Sequence, residues 1–250
     1  MLDNKEEFKK ENHDSWLANT EYWLNSPLRQ VEDTKAFFKK KLKDILFDGC
    51  VVYDLGCGSG WLIDFILELG INFTYTGFDF NEKFIEYLQK RYGTNPNFEF
   101  LCADLEKPLP KQFYGKSDFA FNNFNFFEIP DLSPAFDNAV NVLNNKGNLI
   151  ISTIDVTYLI MAVSETYDDF RRNLVMYENI KSAGQVPYFF QPIDLGNATS
   201  KELKYASVLY SFADYFKLAK SKQLILSDYE EIICEARFIP KVYQFMNFSK

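Results

Sequence analysis

The sequence predicts an α/β fold in which a doubly wound, mostly parallel sheet carries helices on both faces. Three observations predict it. Between residues 49 and 156, short apolar runs of strand type alternate with segments of helical periodicity, the order that builds a parallel sheet. The first strand runs into a turn with glycine at every second position, Gly56, Gly58 and Gly60. Strands two and three then run into aspartates, Asp79 and Asp104, at the carboxyl edge where open α/β sheets bind ligands.

Residues 1–48 read as an N-terminal helical cover. Charge comes first, then His13, Trp16, Tyr22 and Trp23; Pro27 interrupts, and Val31, Phe38, Leu42 and Ile45 mark a second helix. Lys39, Lys40, Lys41 and Lys43 form the one dense basic run, read as a solvated face near a helix C-terminus, where the dipole favours cations. Residues 49–156 are the core. Val51–Leu55 is strand one, and Trp61, Leu62, Phe65, Ile66 and Leu69 recur at helical spacing until Gly70. Asn72–Phe78 is strand two, followed by a helix with Phe84, Ile85, Leu88 and Tyr92. Strand three is Asn97–Cys102, strand four Ser117–Asn122, and a helix with Phe136, Val140 and Leu143 follows. Asn144 to Gly147 reads as a turn, and Asn148–Asp155 as strand five, apolar enough to be covered on both faces.

Residues 157–223 exceed a minimal fold of this kind. A helix runs through Tyr167, Phe170, Leu174 and Tyr177, while Pro187 to Phe190 and Lys204–Lys217 read as strand-like. An insertion here lies at the ligand edge, so it is expected to cover the substrate; a dimerisation arm is the alternative. Residues 224–250 read as a helix and a strand. Ser227-Asp228-Tyr229-Glu230 has the form of a capping box, opening a helix with Ile232, Ile233 and Ala236 inward, and Val242–Phe248 is the last strand.

The spacing of the glycine turn separates cofactors. Dinucleotide sites read G-x-G-x-x-G, and phosphate loops read G-x-x-x-x-G-K-[ST]. Asp54-Leu55-Gly56-Cys57-Gly58-Ser59-Gly60 is D-x-G-x-G-x-G, with no lysine after it. It resembles motif I of the class I S-adenosylmethionine (SAM)-dependent methyltransferases, of the small-molecule branch, whose sheet is Rossmann-like. The resemblance implies that Gly56, Cys57, Gly58 and Gly60 cradle SAM while Asp54 helps fix its methionyl amino end. Asp79, nineteen residues past Gly60, and Phe80 match the ribose position; a helix cap is the other use of an aspartate there. Asp104 and Leu105 match motif III, where the acid accepts from the adenine amino group. The run from Asp118 to Asp131, with Asn122, resembles motif IV, except that Phe127-Glu128 stands where many members carry a histidine pair. The segment with Trp16 and Tyr22 resembles the helix that closes over SAM; an amphipathic helix that packs its aromatics on the core is the other reading of it. The family ends in a two-stranded hairpin; one strand fits here, so the other is expected to be absent or supplied by the insertion.

Composition bounds the rest. With 250 residues, a single elaborated domain is expected. The charge balance of 27 basic against 35 acidic residues, −8, disfavours a nucleic-acid partner. The four cysteines, Cys50, Cys57, Cys102 and Cys234, form no C-x-x-C pair and read as buried free thiols of a reducing compartment. His13 is the single histidine, so no His-based metal site is expected. The N-terminus lacks an apolar leader, no apolar run reaches membrane-spanning length, and a cytoplasmic location is expected.

The function these features imply is methyl transfer from SAM to an O or N atom of a small-molecule acceptor, releasing S-adenosylhomocysteine. Trp16, Tyr22, Trp23 and Phe124 are candidate faces for the sulfonium. Glu128, Tyr158 and His13 are candidate bases. Two other readings use the same motifs: a SAM-consuming enzyme that releases methylthioadenosine, and a non-catalytic SAM-binding partner subunit. Residues 157–223 are the expected surface if the chain forms a homodimer.

Overall fold

The first segment of the chain is charged and aromatic, and it forms three helices: α1 (Lys5–Ala18), α2 (Thr20–Asn25) and α3 (Arg29–Ile45). In the computed structural model, residues 5–25, 29–162, 164, 166–183, 188–193, 203–234 and 241–250 are described. The helix α3 buries Phe38 and Leu42. Its basic run is less solvated than expected: Lys39 pairs with Glu68, and Lys41 with Asp228 at 2.7 Å and with Glu230.

Residues 50–154 then follow the expected alternation: β1 (Cys50–Leu55), α4 (Trp61–Leu67), β2 (Phe73–Asp79), α5 (Glu82–Tyr92), β3 (Phe98–Cys102), β4 (Ser117–Asn123), α6 (Leu132–Val142) and β5 (Leu143–Ile154). The strands β3, β2, β1, β4 and β5 lie side by side in that order, all parallel. Strand order reverses at β1, which has β2 on one side and β4 on the other, and ligands of such sheets bind at this switch point. The register pairs Leu55 with Phe78 and Asp79 with Cys102. Gly56, Asp79 and the residues after Cys102 and Asn123 therefore emerge along one edge. The expected turn at 144–147 is a bulge inside β5: Ser117 of β4 pairs with Leu143, and two residues on, Phe119 pairs with Asn148.

Both faces of the sheet are covered. One side packs Phe38, Leu62, Phe65 and Phe121; the other packs Phe78, Phe113, Phe136 and Tyr215. The aromatic excess is spent largely here, in edge-to-face pairs such as Phe78–Phe113 at 5.2 Å and Tyr53–Phe113 at 6.0 Å.

Beyond β5 come α7 (Val156–Ala162), α8 (Tyr167–Ser182), the hairpin of β6 (Tyr188–Ile193) with β7 (Leu203–Val208), α9 (Phe212–Ser221), β8 (Ile225–Cys234) and β9 (Lys241–Ser249). Three expectations are corrected. Lys204–Lys217 is strand only to Val208; α9 follows, opened by a capping box of Ser211 and Asp214. The capping-box pattern at Ser227 to Glu230 opens no helix: these residues lie in β8, antiparallel to β9, and Ile233 is 68% exposed rather than inward. Tertiary pairing with β9, and the hold of Lys41 on Asp228 and Glu230, override the local signal. Ala236 lies outside the described residues. The terminal hairpin is complete, with β9 joining β5 antiparallel and β8 on its far side, so the edge strand comes from neither the insertion nor a gap but from residues 225–234.

Candidate active site

The glycine turn and Asp79 form one unit. The N–H groups of Gly56 and Cys57 donate to Phe78 O at 2.7 and 3.0 Å, tying the turn to the end of β2. Gly56 has φ +88° and Gly60 φ +80°, backbone that glycine adopts without strain. A Cβ on Gly60 would stand 2.5 Å from Leu88 of α5. The N–H groups of Gly58 and Asn81 donate to the two oxygens of Asp79, each at 2.9 Å. Asp79 is 7% exposed. Burial pushes its carboxyl up to about 6, against the pull of those two N–H groups. Each oxygen keeps lone pairs for a ligand.

Asp54 is buried, on neither cavity wall described below, and accepts a hydrogen bond from the Tyr75 hydroxyl at 2.7 Å. Burial pushes its carboxyl up to about 7, with Asp79 adding repulsion.

Two cavities open at this edge. The larger, about 260 Å³, is walled by Asp79, Phe80, Cys102, Asp104 and Leu105 below and by α1 above. The smaller, about 50 Å³, lies against the glycine turn and is lined by Trp16, Trp23, Trp61, Phe84 and Phe124. Gly56, Asp79, Phe80, Asn125 and Glu128 belong to both walls and form the neck between them.

Asp104 follows β3 and accepts from the Glu106 N–H at 3.0 Å, with Lys9 and Lys107 each 3.4 Å away. Burial acts to raise its carboxyl, but that N–H and the two lysines outweigh it and hold the group below its ordinary value. Leu105 is buried beside it. Cys102, expected to be buried, is exposed on the same wall; Cys50 and Cys57 are buried and Cys234 half-buried, all four free.

The helix α1 roofs the larger cavity. Lys5 pairs with Asp131 at 2.8 Å and Lys9 with Glu106, Asn12 Nδ2 donates to Glu128 O at 3.0 Å, and His13 lies over Phe80 at 4.7 Å. Trp16 reaches the smaller cavity, 5.4 Å from Trp23. Tyr22 contacts Trp23 at 4.9 Å but neither wall. Sequence reasoning missed Lys9 and Asn12. Their signal was positional: residues 5, 9, 12 and 16 share one helical face.

Near the end of β4, Asn122 is fully buried and on neither wall. Its Nδ2 donates to Leu55 O at 2.7 Å and to Asn125 Oδ1 at 3.2 Å, and its Oδ1 accepts from Phe126 N at 2.8 Å. It holds the loop that presents Phe124, Asn125 and Glu128. Glu128 ends a single 3₁₀ turn, Phe126–Glu128. Burial pushes its carboxyl well above the ordinary carboxylate range and Asp79 adds to this, while a hydrogen bond from Trp16 acts the other way. Tyr158, on α7, packs on the core and lines neither cavity. Among the described residues, no group of three acidic, Cys or His side chains is placed to hold a metal ion, and no helix is long and apolar enough to cross a membrane.

The profile of a methyltransferase-domain family matches residues 46–208, the whole span from β1 through β7. The chain belongs to the class I SAM-dependent methyltransferase family. A malonyl-[acyl-carrier protein] O-methyltransferase of Acetivibrio thermocellus is 29% identical to this methyltransferase-family chain over 157 residues, 58% of the chain and 53% of that protein. Another from Ilyobacter polytropus is 26% identical over 184 residues, 74% of the chain and 58% of that protein. The chain thus spans little more than half the length of these curated relatives. Among solved structures, a SAM-dependent methyltransferase from Methanosarcina mazei has a TM-score of 0.62 at 15% identity, covering 84% of this chain and 96% of that one. The Burkholderia thailandensis 1,6-didemethyltoxoflavin-N1-methyltransferase, solved with its substrate and S-adenosylhomocysteine, has a TM-score of 0.62 at 14% identity, over 100% and 92%. These structural likenesses establish the shared fold. SAM is the cofactor of the family.

Proposed function

We propose that the protein transfers a methyl group from SAM to an oxygen or nitrogen of a small-molecule acceptor. The observation that carries this reading is the neck: two adjoining cavities meet at Gly56, Asn125 and Glu128, directly beside Asp79. SAM supplies a methyl on a sulfonium sulfur, so that the acceptor lone pair forms the new bond to carbon as the C–S bond breaks and its electron pair stays on sulfur.

The chain's residues fit this ligand. Asp79 has a lone pair left on each oxygen for the two ribose hydroxyls. Asp104 offers an ionised acceptor to an adenine amino group, and Leu105 an apolar floor. Trp16, Trp23 and Phe124 line the smaller cavity beside the neck, where an aromatic face over the sulfonium would contribute about 0.5–2 kcal/mol. Alignment of acceptor and methyl can supply roughly 7–11 kcal/mol. Once ionised, Glu128 is the candidate base that takes the acceptor's proton, because it belongs to the wall that both cavities share. His13 faces the larger cavity instead, and Tyr158 faces neither.

Residues 157–223 supply the acceptor's cover in this reading. Tyr210 supports it: its hydroxyl donates to Ile129 O and Pro130 O at 3.0 and 3.1 Å, fastening that segment to the Glu128 loop. Incubation with SAM and cell extract, followed by mass analysis of the nucleoside product, tests the reading. S-adenosylhomocysteine supports it. Methylthioadenosine overturns it in favour of another SAM-consuming reaction, and no product overturns it in favour of a binding subunit.

A further inference from the structure

We infer that Asn125 sets the size of the group the protein accepts on the cofactor's sulfur, an inference that rests on the methyl-transfer reading above. Asn125 belongs to the wall shared by both cavities. Its carboxamide lies so close over Gly56 that a Cβ there would stand 2.4 Å from Asn125 Cγ and 2.7 Å from Oδ1. The glycine leaves room for close approach, and this side chain takes part of that room.

The side chain is fixed. Asn122 Nδ2 donates to its Oδ1 at 3.2 Å, and Asn122 is in turn held on Leu55 O at 2.7 Å. The backbone is fixed as well. Phe124, just before it, has φ +56°, a left-handed conformation that an aromatic residue seldom adopts. It persists because Phe124 N donates to Ser152 O at 2.8 Å and Glu128 N to Asn125 O at 2.8 Å. Strain kept in place by contacts on both sides marks a position where placement matters. A ligand with its nucleoside in the larger cavity and its amino-acid arm against the glycine turn has its sulfur at the neck. A substituent on that sulfur meets the Asn125 carboxamide, which the Asn122 hydrogen bond holds over Gly56.

The test is calorimetric titration of the full chain with SAM and with S-adenosyl-L-ethionine, its S-ethyl analogue. One extra methylene in a fitted pocket costs about 10–200-fold, so the natural protein should bind the ethyl analogue at least about tenfold more weakly than SAM. Asn125→Ala should shrink the gap between the two ligands to within about threefold, whatever its effect on SAM affinity itself. Equal binding of the two ligands by the natural protein overturns the inference without any variant, as does an undiminished gap in a folded Asn125→Ala protein. If the natural protein binds neither ligand, the methyl-transfer reading falls and this inference with it; if SAM binds and only the gap is missing, this inference alone falls.

Discussion

Asp79→Asn tests the cofactor site at its most specific point. The carboxylate receives two backbone N–H groups at 2.9 Å and keeps lone pairs toward the larger cavity. Replacing it by a neutral amide removes the charged acceptor from the ribose hydroxyls, a loss of roughly 1.5–3 kcal/mol, or roughly 10- to 150-fold in affinity. The pH dependence is the sharper signature. Burial pushes the Asp79 carboxyl up to about 6, and the ionised form is the one that accepts from both hydroxyls. Affinity of the natural protein should therefore be level above pH 7 and fall by about tenfold per unit once pH drops below 6. The Asn variant should be weak and level across the same range. Titration calorimetry with S-adenosylhomocysteine between pH 5 and 8 reads both features. Parallel pH profiles in the two proteins, or an unchanged affinity at pH 7.5, would refute the assignment and leave Asp79 as a brace for the glycine turn.

Other outcomes follow from the same geometry. Stability of the free protein should decline from pH 5 to pH 8: Asp54 and Asp79 have folded-state values of about 7 and about 6, above the unfolded 3.8, so the neutral forms favour the fold and that contribution is lost as pH rises through those values. Thermal melts that rise over this window would contradict it, and Asp79→Asn should flatten the slope. Glu128→Gln should leave SAM affinity nearly unchanged and cut turnover by about 10²–10⁴-fold, whereas equal losses in binding and turnover would make it a structural residue. Hydrogen exchange across α1 should slow when SAM binds and quicken when salt weakens Lys5–Asp131 and Lys9–Glu106; protection indifferent to both would make α1 a permanent part of the core. Alkylation of exposed Cys102, on the larger cavity's wall, should slow in the presence of SAM, and an unchanged rate would place the cofactor elsewhere.

The five parallel strands were legible because each is a short run rich in aromatic and branched apolar residues, set between helical patterns and turn residues. The aspartates after β2 and the larger part of the ligand edge were legible for a related reason: parallel register brings every strand's carboxyl end to the same side. The glycine turn disclosed the ligand class, but the hydrogen bond that holds Asp54 comes from Tyr75, one strand away, and left no mark in the local pattern. The terminal hairpin was not legible. The strand β8 is half exposed and rich in acids, and Ser227 to Glu230 satisfies a local helix rule that only β9 and Lys41 overrule. Asn125 was invisible for a different reason. It sits between phenylalanines, and its meaning arises from Gly56, far off in sequence and in contact in space.

The position of β9 bears on how the chain reaches this structure. It runs between β5 and β8, so the strand made later is interior and the one made earlier is at the margin. A growing chain that has reached Cys234 has completed β8, yet has no neighbour in the sheet to receive it. Until residues 241–249 are available, the margin of β5 stays open, and Asp228 and Glu230 of β8 have Lys41 to find. Synthesis at about 5–20 residues per second makes this interval brief, but during it the exposed strand margin is the part of the molecule most open to pairing with another chain.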